Sequence, residues 1–95
     1  MVFIFELIDC TGRKIHLTDE RYKHIIRHLD MQNKLEDIQQ TLVRPLKITH
    51  FDQYLVYYYR YYKDHPSKAK YLRVIVKYLN GKGFVVTSYF VEVLL

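Results

Sequence analysis

Hydrophobic and polar positions change their period part-way along this 95-residue chain. At the start, Phe3-Ile-Phe-Glu-Leu-Ile8 reads as a strand, Asp9-Cys-Thr-Gly12 as a turn, and Arg13-Lys-Ile-His-Leu17 as a short return strand. Thr18 then stands where a helix N-cap belongs. Asp19 and Glu20 follow in the first turn, where the helix dipole favours negative charge, so a helix is predicted over about 19–30. Asn33 is placed to cap a second helix. Leu35, Ile38 and Leu42 recur at helical spacing, and Pro45 ends the segment.

From Tyr54 the period becomes two. Tyr54, Val56, Tyr58, Arg60 and Tyr62 fall on one face of a strand, with Leu55, Tyr57, Tyr59 and Tyr61 on the other. After a polar connection, Asp64 to Lys70, the stretch Tyr71–Leu79 sets Leu72, Val74 and Val76 against Arg73, Ile75 and Lys77. Asn80-Gly-Lys-Gly83 is a hairpin turn, and Phe84 to Val93 is the last strand. The expected architecture is α+β in a single domain over 1–95: an N-terminal β-hairpin, two helices, then a three- to four-stranded antiparallel sheet with the helices on one face. Register within that sheet is not fixed by the pattern.

Composition narrows the class. A chain this short buries about 60–65% of its unfolded surface, which suffices for one thin core. There is no apolar run long enough to cross a membrane, and the opening residues lack a basic flank, so neither membrane nor signal peptide is expected. The single Cys10 excludes an intramolecular disulfide and points to a reducing, cytoplasmic setting; no activator adjoins it in sequence. The net charge of +5 is unevenly distributed. Residues 1–30 balance, whereas residues 54–82 hold Arg60, Lys63, Lys68, Lys70, Arg73, Lys77 and Lys82 against Asp64 alone. Such a surface suits a polyanion such as RNA or DNA, or an acidic protein.

The candidate chemistry begins in the predicted first helix. Arg21, His24 and His28 lie within roughly 60° of one another on a helical wheel, beside the apolar sector of Tyr22, Ile25, Ile26 and Leu29. A stripe there is half shielded, and histidine titrates near neutrality. The pair also admits two other readings. As boundary residues the histidines would simply be hydrogen-bonded. As an i, i+4 pair they could chelate zinc, but the metalloprotease motif needs Glu where Ile25 stands, and His16, His50 and His65 have no supporting spacing, so no metal is assigned.

Taken together, several motifs have a familiar order. A strand and Gly turn lead into Leu17-Thr-Asp-Glu-Arg21 and His24-Ile-Ile-Arg-His28; a second helix ends at Pro45; Tyr58-Tyr-Arg60, Tyr71-Leu-Arg-Val-Ile-Val-Lys77 and Phe84-Val-Val-Thr-Ser-Tyr89 follow. This order resembles small nucleases of the barnase–EndoU–colicin–RelE superfamily, particularly the phage-associated branch, from about Phe5 to Phe90. It departs from them in Leu29, where relatives often carry Pro, and in a denser tyrosine run. The resemblance implies a metal-independent endoribonuclease without cofactor, of toxin or viral-effector type. Its matching polar residues here are His24, His28, Arg60, Lys77, Thr87 and Tyr89.

Metal-free RNA cleavage needs a base for the 2′-OH proton, cations for the phosphorane charge and an acid for the 5′ oxygen, and it leaves a 2′,3′-cyclic phosphate. His24 and His28 are the expected base and acid, Arg60 and Lys77 the phosphate stabilisers, and Thr87 and Tyr89 the phosphate-orienting hydroxyls. Arg21, Tyr58 and Arg73 are the expected RNA contacts, through charge or base stacking. Two other classes compete: a non-catalytic RNA- or DNA-binding module on the same fold, and a protein-interaction domain using the tyrosine surface. The apolar ending Val91-Glu-Val-Leu-Leu95 suggests a subunit contact in a homodimer, or a surface for an acidic antitoxin or immunity protein.

Overall fold

The computed structural model describes residues 2–95. The described residues form an α+β domain in the order β1 (Phe3–Ile8), β2 (Lys14–Thr18), α1 (Asp19–Ile25), a single 3-10 turn (Leu29–Met31), α2 (Leu35–Val43), β3 (Lys47–His50), β4 (Leu55–Tyr61), β5 (Tyr71–Leu79) and β6 (Lys82–Val91). None of its helices is long and apolar enough to cross a membrane.

The helices start and stop for local reasons. Thr18 caps α1, its hydroxyl accepting from the Arg21 N–H at 3.2 Å, as the sequence predicts. The helix is shorter than expected. It tightens at its end, with the N–H groups of Arg27 and His28 reaching back only three residues, and His28 is already extended. The reason is tertiary. The chain turns to bury Met31 in the core, leaving Leu29 83% exposed. Asn33 does not cap α2; it adopts a left-handed φ of 60°, and Lys34 takes the N-cap position. Ile38 and Leu42 bury the inner face of α2 as their spacing predicts.

The sheet differs from expectation in extent. Hairpin and later strands form one six-stranded mixed sheet, ordered β1-β2-β6-β5-β4-β3. Four of its strands, β3 to β6, are antiparallel neighbours; β2 joins them through a short parallel pairing with β6, Ile15 opposite Gly83 and His16 opposite Phe84. Gly83 leaves room at this junction, because a Cβ there would lie 2.7 Å from Tyr78 and 2.9 Å from Val76 of β5 and 3.1 Å from Ile15 of β2. Strand β3 is too short to announce itself in sequence, yet it pairs fully with β4. The β5–β6 hairpin closes on Asn80 and Gly81, both at positive φ, the geometry that twists a two-residue turn correctly.

Both helices pack on one sheet face. The core joins Ile25, Met31, Ile38 and Leu42 to Val56, Tyr58, Leu72, Val74, Val76 and Val85. Among the described residues no helix covers the other face.

Candidate nucleic-acid interface

One irregularity decides which side chains share the uncovered face. Lys77 pairs with Phe84 and Val76 with Val85, but Ile75 pairs with Thr87, so Val86 is an extra residue in β6. With strict alternation Thr87 and Tyr89 would follow Val85 onto the helix side. The bulge reverses their direction, placing Thr87 beside Ile75 and Tyr89 beside Arg73, on the face that also carries Lys77.

Arg73 lies at the centre of that face. Its Nε donates to the Tyr59 hydroxyl at 2.9 Å and its Nη1 to the Tyr89 hydroxyl at 3.2 Å. Its Cζ lies 5.3 Å from the ring centres of Tyr57 and Tyr59 and 5.5 Å from that of Tyr89. Burial works against the charge, but the bonds to Tyr89 and Tyr59 outweigh it and hold the guanidinium pKa above its ordinary value. Because Tyr89 accepts from Arg73, its own proton remains available to a ligand. Tyr59, 0% exposed, is the floor of the cluster. At the β3 side, the Thr49 hydroxyl donates to the carbonyl of Leu95 at 2.8 Å. The apolar ending thus folds back on its own sheet.

Helix and sheet meet where β2 and β6 splay apart. Beyond His16 and Phe84 the two strands no longer pair, and β2 runs into α1. A cavity of about 290 Å³ opens there, lined by Lys77 and Phe84 from the sheet and by Glu20 and Arg21 from α1. A second depression of about 300 Å³ continues along the helix past the same Glu20 and Arg21 to His24 and Arg27. Arg21 thus lines one cavity with Lys77, and His24 lies about one helical turn beyond Arg21 along the second depression.

His16, which sequence reasoning did not single out, lines the first cavity. It is buried between Phe3 and Phe84, with ring centres 4.3 and 5.4 Å away. Its Nε2 lies 2.5 Å from Glu6 and its Nδ1 3.3 Å from the Gly83 carbonyl oxygen. With both ring nitrogens engaged, it ties β1, β2 and β6 together rather than serving as a base. Its pairing opposite Glu6 in the hairpin was the available signal.

Three expected site residues lie elsewhere. His28 leaves α1 altogether, so it does not stand one turn above His24. Arg60 is on the helix side, where Nη1 donates to the Arg44 carbonyl at 2.6 Å and closes the end of α2. Tyr58, expected to contact RNA, is 0% exposed and offers no surface for stacking. Its hydroxyl donates to Asp9 and lies 2.6 Å from that of Tyr78. Arg13 stacks over the Tyr78 ring at 3.9 Å, so this cluster anchors the β1–β2 turn to the sheet. Burial raises the Asp9 pKa, but hydrogen bonds from Tyr58, Thr11 and the Arg13 backbone together outweigh it and hold the carboxyl below its usual range. Burial of the Tyr58 hydroxyl, with Asp9 and Tyr78 beside it, pushes its pKa far up. Cys10, in the same turn, has its thiol pKa raised by burial and by the Asp9 charge, which disfavours the reactive thiolate.

Among the described residues no three His, Cys, Asp or Glu side chains converge as a metal site would require. The chain matches no protein-family model, no curated protein and no solved structure.

Proposed function

We propose that this protein is a small endoribonuclease acting on single-stranded RNA without a metal, as its resemblance to the barnase–EndoU–colicin–RelE superfamily implies. The observation that carries the reading is the alignment of Arg73, Lys77, Thr87 and Tyr89 along the uncovered sheet face, with Arg21 lining the Lys77 cavity. Arg73 and the tyrosines hold the strand by charge and stacking. Lys77 and Arg21 stabilise charge on the scissile phosphate, and Thr87 donates to a phosphate oxygen. Tyr89, its oxygen already accepting from Arg73, donates its proton to the 5′ oxygen. His24 takes the 2′-OH proton.

A specific observation favours a second reading, a binding module without catalysis: His28 and Arg60, two groups of the expected set, lie away from the face. Incubation of purified protein with labelled single-stranded RNA in EDTA separates the two. Cleavage leaving 2′,3′-cyclic phosphate ends is expected, slowed about 100-fold or more by His24→Ala and unchanged by His28→Ala. Salt-sensitive binding without cleavage would establish the second reading. Absence of RNA binding at physiological salt would sink both.

A further inference from the structure

One buried histidine lies outside this site. His65, 5% exposed, lies in the loop between β4 and β5. Its ring stacks on Phe90 with centres 3.6 Å apart and planes 17° from parallel. Its Nδ1 lies 3.1 Å from the Ser67 hydroxyl, its N–H donates to the Tyr62 carbonyl at 3.2 Å, and its carbonyl accepts from Lys70 Nζ. The ring is therefore fixed. Among the described residues Nε2 has no partner, yet it is not sealed from solvent. A phenylalanine would fill the same space, so packing does not account for the open nitrogen.

That nitrogen belongs to a residue lining a cavity of about 350 Å³, within the size range of small-ligand sites. Tyr61 and Phe90 supply aromatic walls, and Lys34 and Lys63 line it as cations. It also meets the start of α2. The N-cap residue there, Lys34, makes no side-chain capping bond, as expected of a side chain that cannot accept one, and Glu36 and Asp37 follow in the first turn. Asp37 and Asp64 lie on the same lining; Asp37 Oδ2 stands 3.9 Å from Lys34 Nζ, so Lys63 is the cation of the rim without a carboxylate in ion-pair range among the described residues. A bare polyanion gains little from such a rim. A ligand carrying a phosphate, a planar ring and hydrogen-bond donors gains from every part of it.

We propose that this cavity is a nucleotide-binding site separate from the sheet face. The phosphate sits against Lys63 and Lys34. The base lies along Tyr61 with its edge on His65 Nε2, and its amino group or the sugar hydroxyls donate to the aspartates. The ligand is either a free nucleoside monophosphate or the 5′-phosphorylated end of an RNA strand, which share this chemistry.

Calorimetric titration of the full chain tests the assignment, with AMP, CMP, inorganic phosphate and adenosine as probes. Saturable binding of the two monophosphates is expected, about tenfold or more tighter than phosphate or adenosine alone. His65→Phe, which keeps the stack on Phe90, and the surface change Lys63→Ala should each weaken it about tenfold. Arg73→Ala should leave it unchanged while weakening RNA binding, so this site and the sheet face fail independently. Hexanucleotides with and without a 5′-phosphate identify the source. Preference for the phosphorylated strand marks an RNA end; equal, weaker binding of both marks the free nucleotide. No saturation at millimolar monophosphate, or binding indifferent to both His65→Phe and Lys63→Ala, would overturn the proposal.

Discussion

The two faces of the central sheet use the same strands for opposite ends. Along β5, Leu72, Val74 and Val76 point to the helices and are buried, whereas Arg73 and Lys77 point away. The helix side is closed with aliphatic groups and tethered polar clusters, one around Asp9 and another joining Tyr62, Thr41 and the Asp37 carbonyl. The uncovered side keeps Tyr59 and Ile75 dry without any helix, because Arg73 and the neighbouring tyrosines cover them. A guanidinium stacked among aromatic rings is at once a roof for the sheet and a fixed positive charge for a ligand. Stability and the proposed binding thus meet in Arg73, but they are separable between Leu72 and Lys77.

The sharpest break in that contrast compares Leu72→Ala with Lys77→Ala. Truncating the fully buried Leu72 should cost about 2–4 kcal/mol, lowering the melting temperature by about 10 °C or more in calorimetry. Lys77→Ala should stay within about 0.5 kcal/mol of wild type while reducing RNA affinity and its salt dependence. Equal melting losses in the two variants would dissolve the division of labour. Next in size is Gly83→Ala, where the new methyl meets Tyr78 and Val76. A loss of about 1–3 kcal/mol is expected, with faster amide exchange along β2.

The smallest expected effect concerns pH. The Asp9 carboxyl is held below its usual range, so the ionised form stabilises the fold. That contribution is full above the unfolded carboxylate pKa and is lost as pH falls through the lower folded value. Urea titrations should show Asp9→Asn less stable than wild type at pH 7 by about 1–2 kcal/mol. The two should converge in acid. A constant gap across that range would deny Asp9 its charged role.

Much of this was legible in the chain. The alternation in β4 and β5, the Thr18 cap, the spacing of Leu35, Ile38 and Leu42, and the Asn80-Gly81 turn are local signals, and each has its expected form. What was not legible depends on distant partners. Periodicity carried α1 through His28, but burying Met31 required an earlier exit. Tyr58 and Tyr59 are both buried, on opposite faces and for different reasons, although composition treats them alike. Arg60 matched a motif position, but strand parity turns it toward α2. The parallel β2–β6 pairing rests on a glycine whose importance appears only when Ile15, Val76 and Tyr78 surround it.

The extra residue in β6 has a consequence for how such a chain tolerates change through descent. Substitutions at Val86 alter one partly buried side chain. Loss of its codon, with every other residue kept, would remove the bulge and leave Thr87 opposite Ile75 and Tyr89 opposite Arg73, because Val85 and Thr87 would then alternate as direct neighbours. Straightening the strand with Val86 kept would instead turn Thr87 and Tyr89 inward and Ser88 and Phe90 outward. The bulge therefore lets β6 lose one residue at this point with both of its faces kept, a tolerance that a strand in regular register lacks.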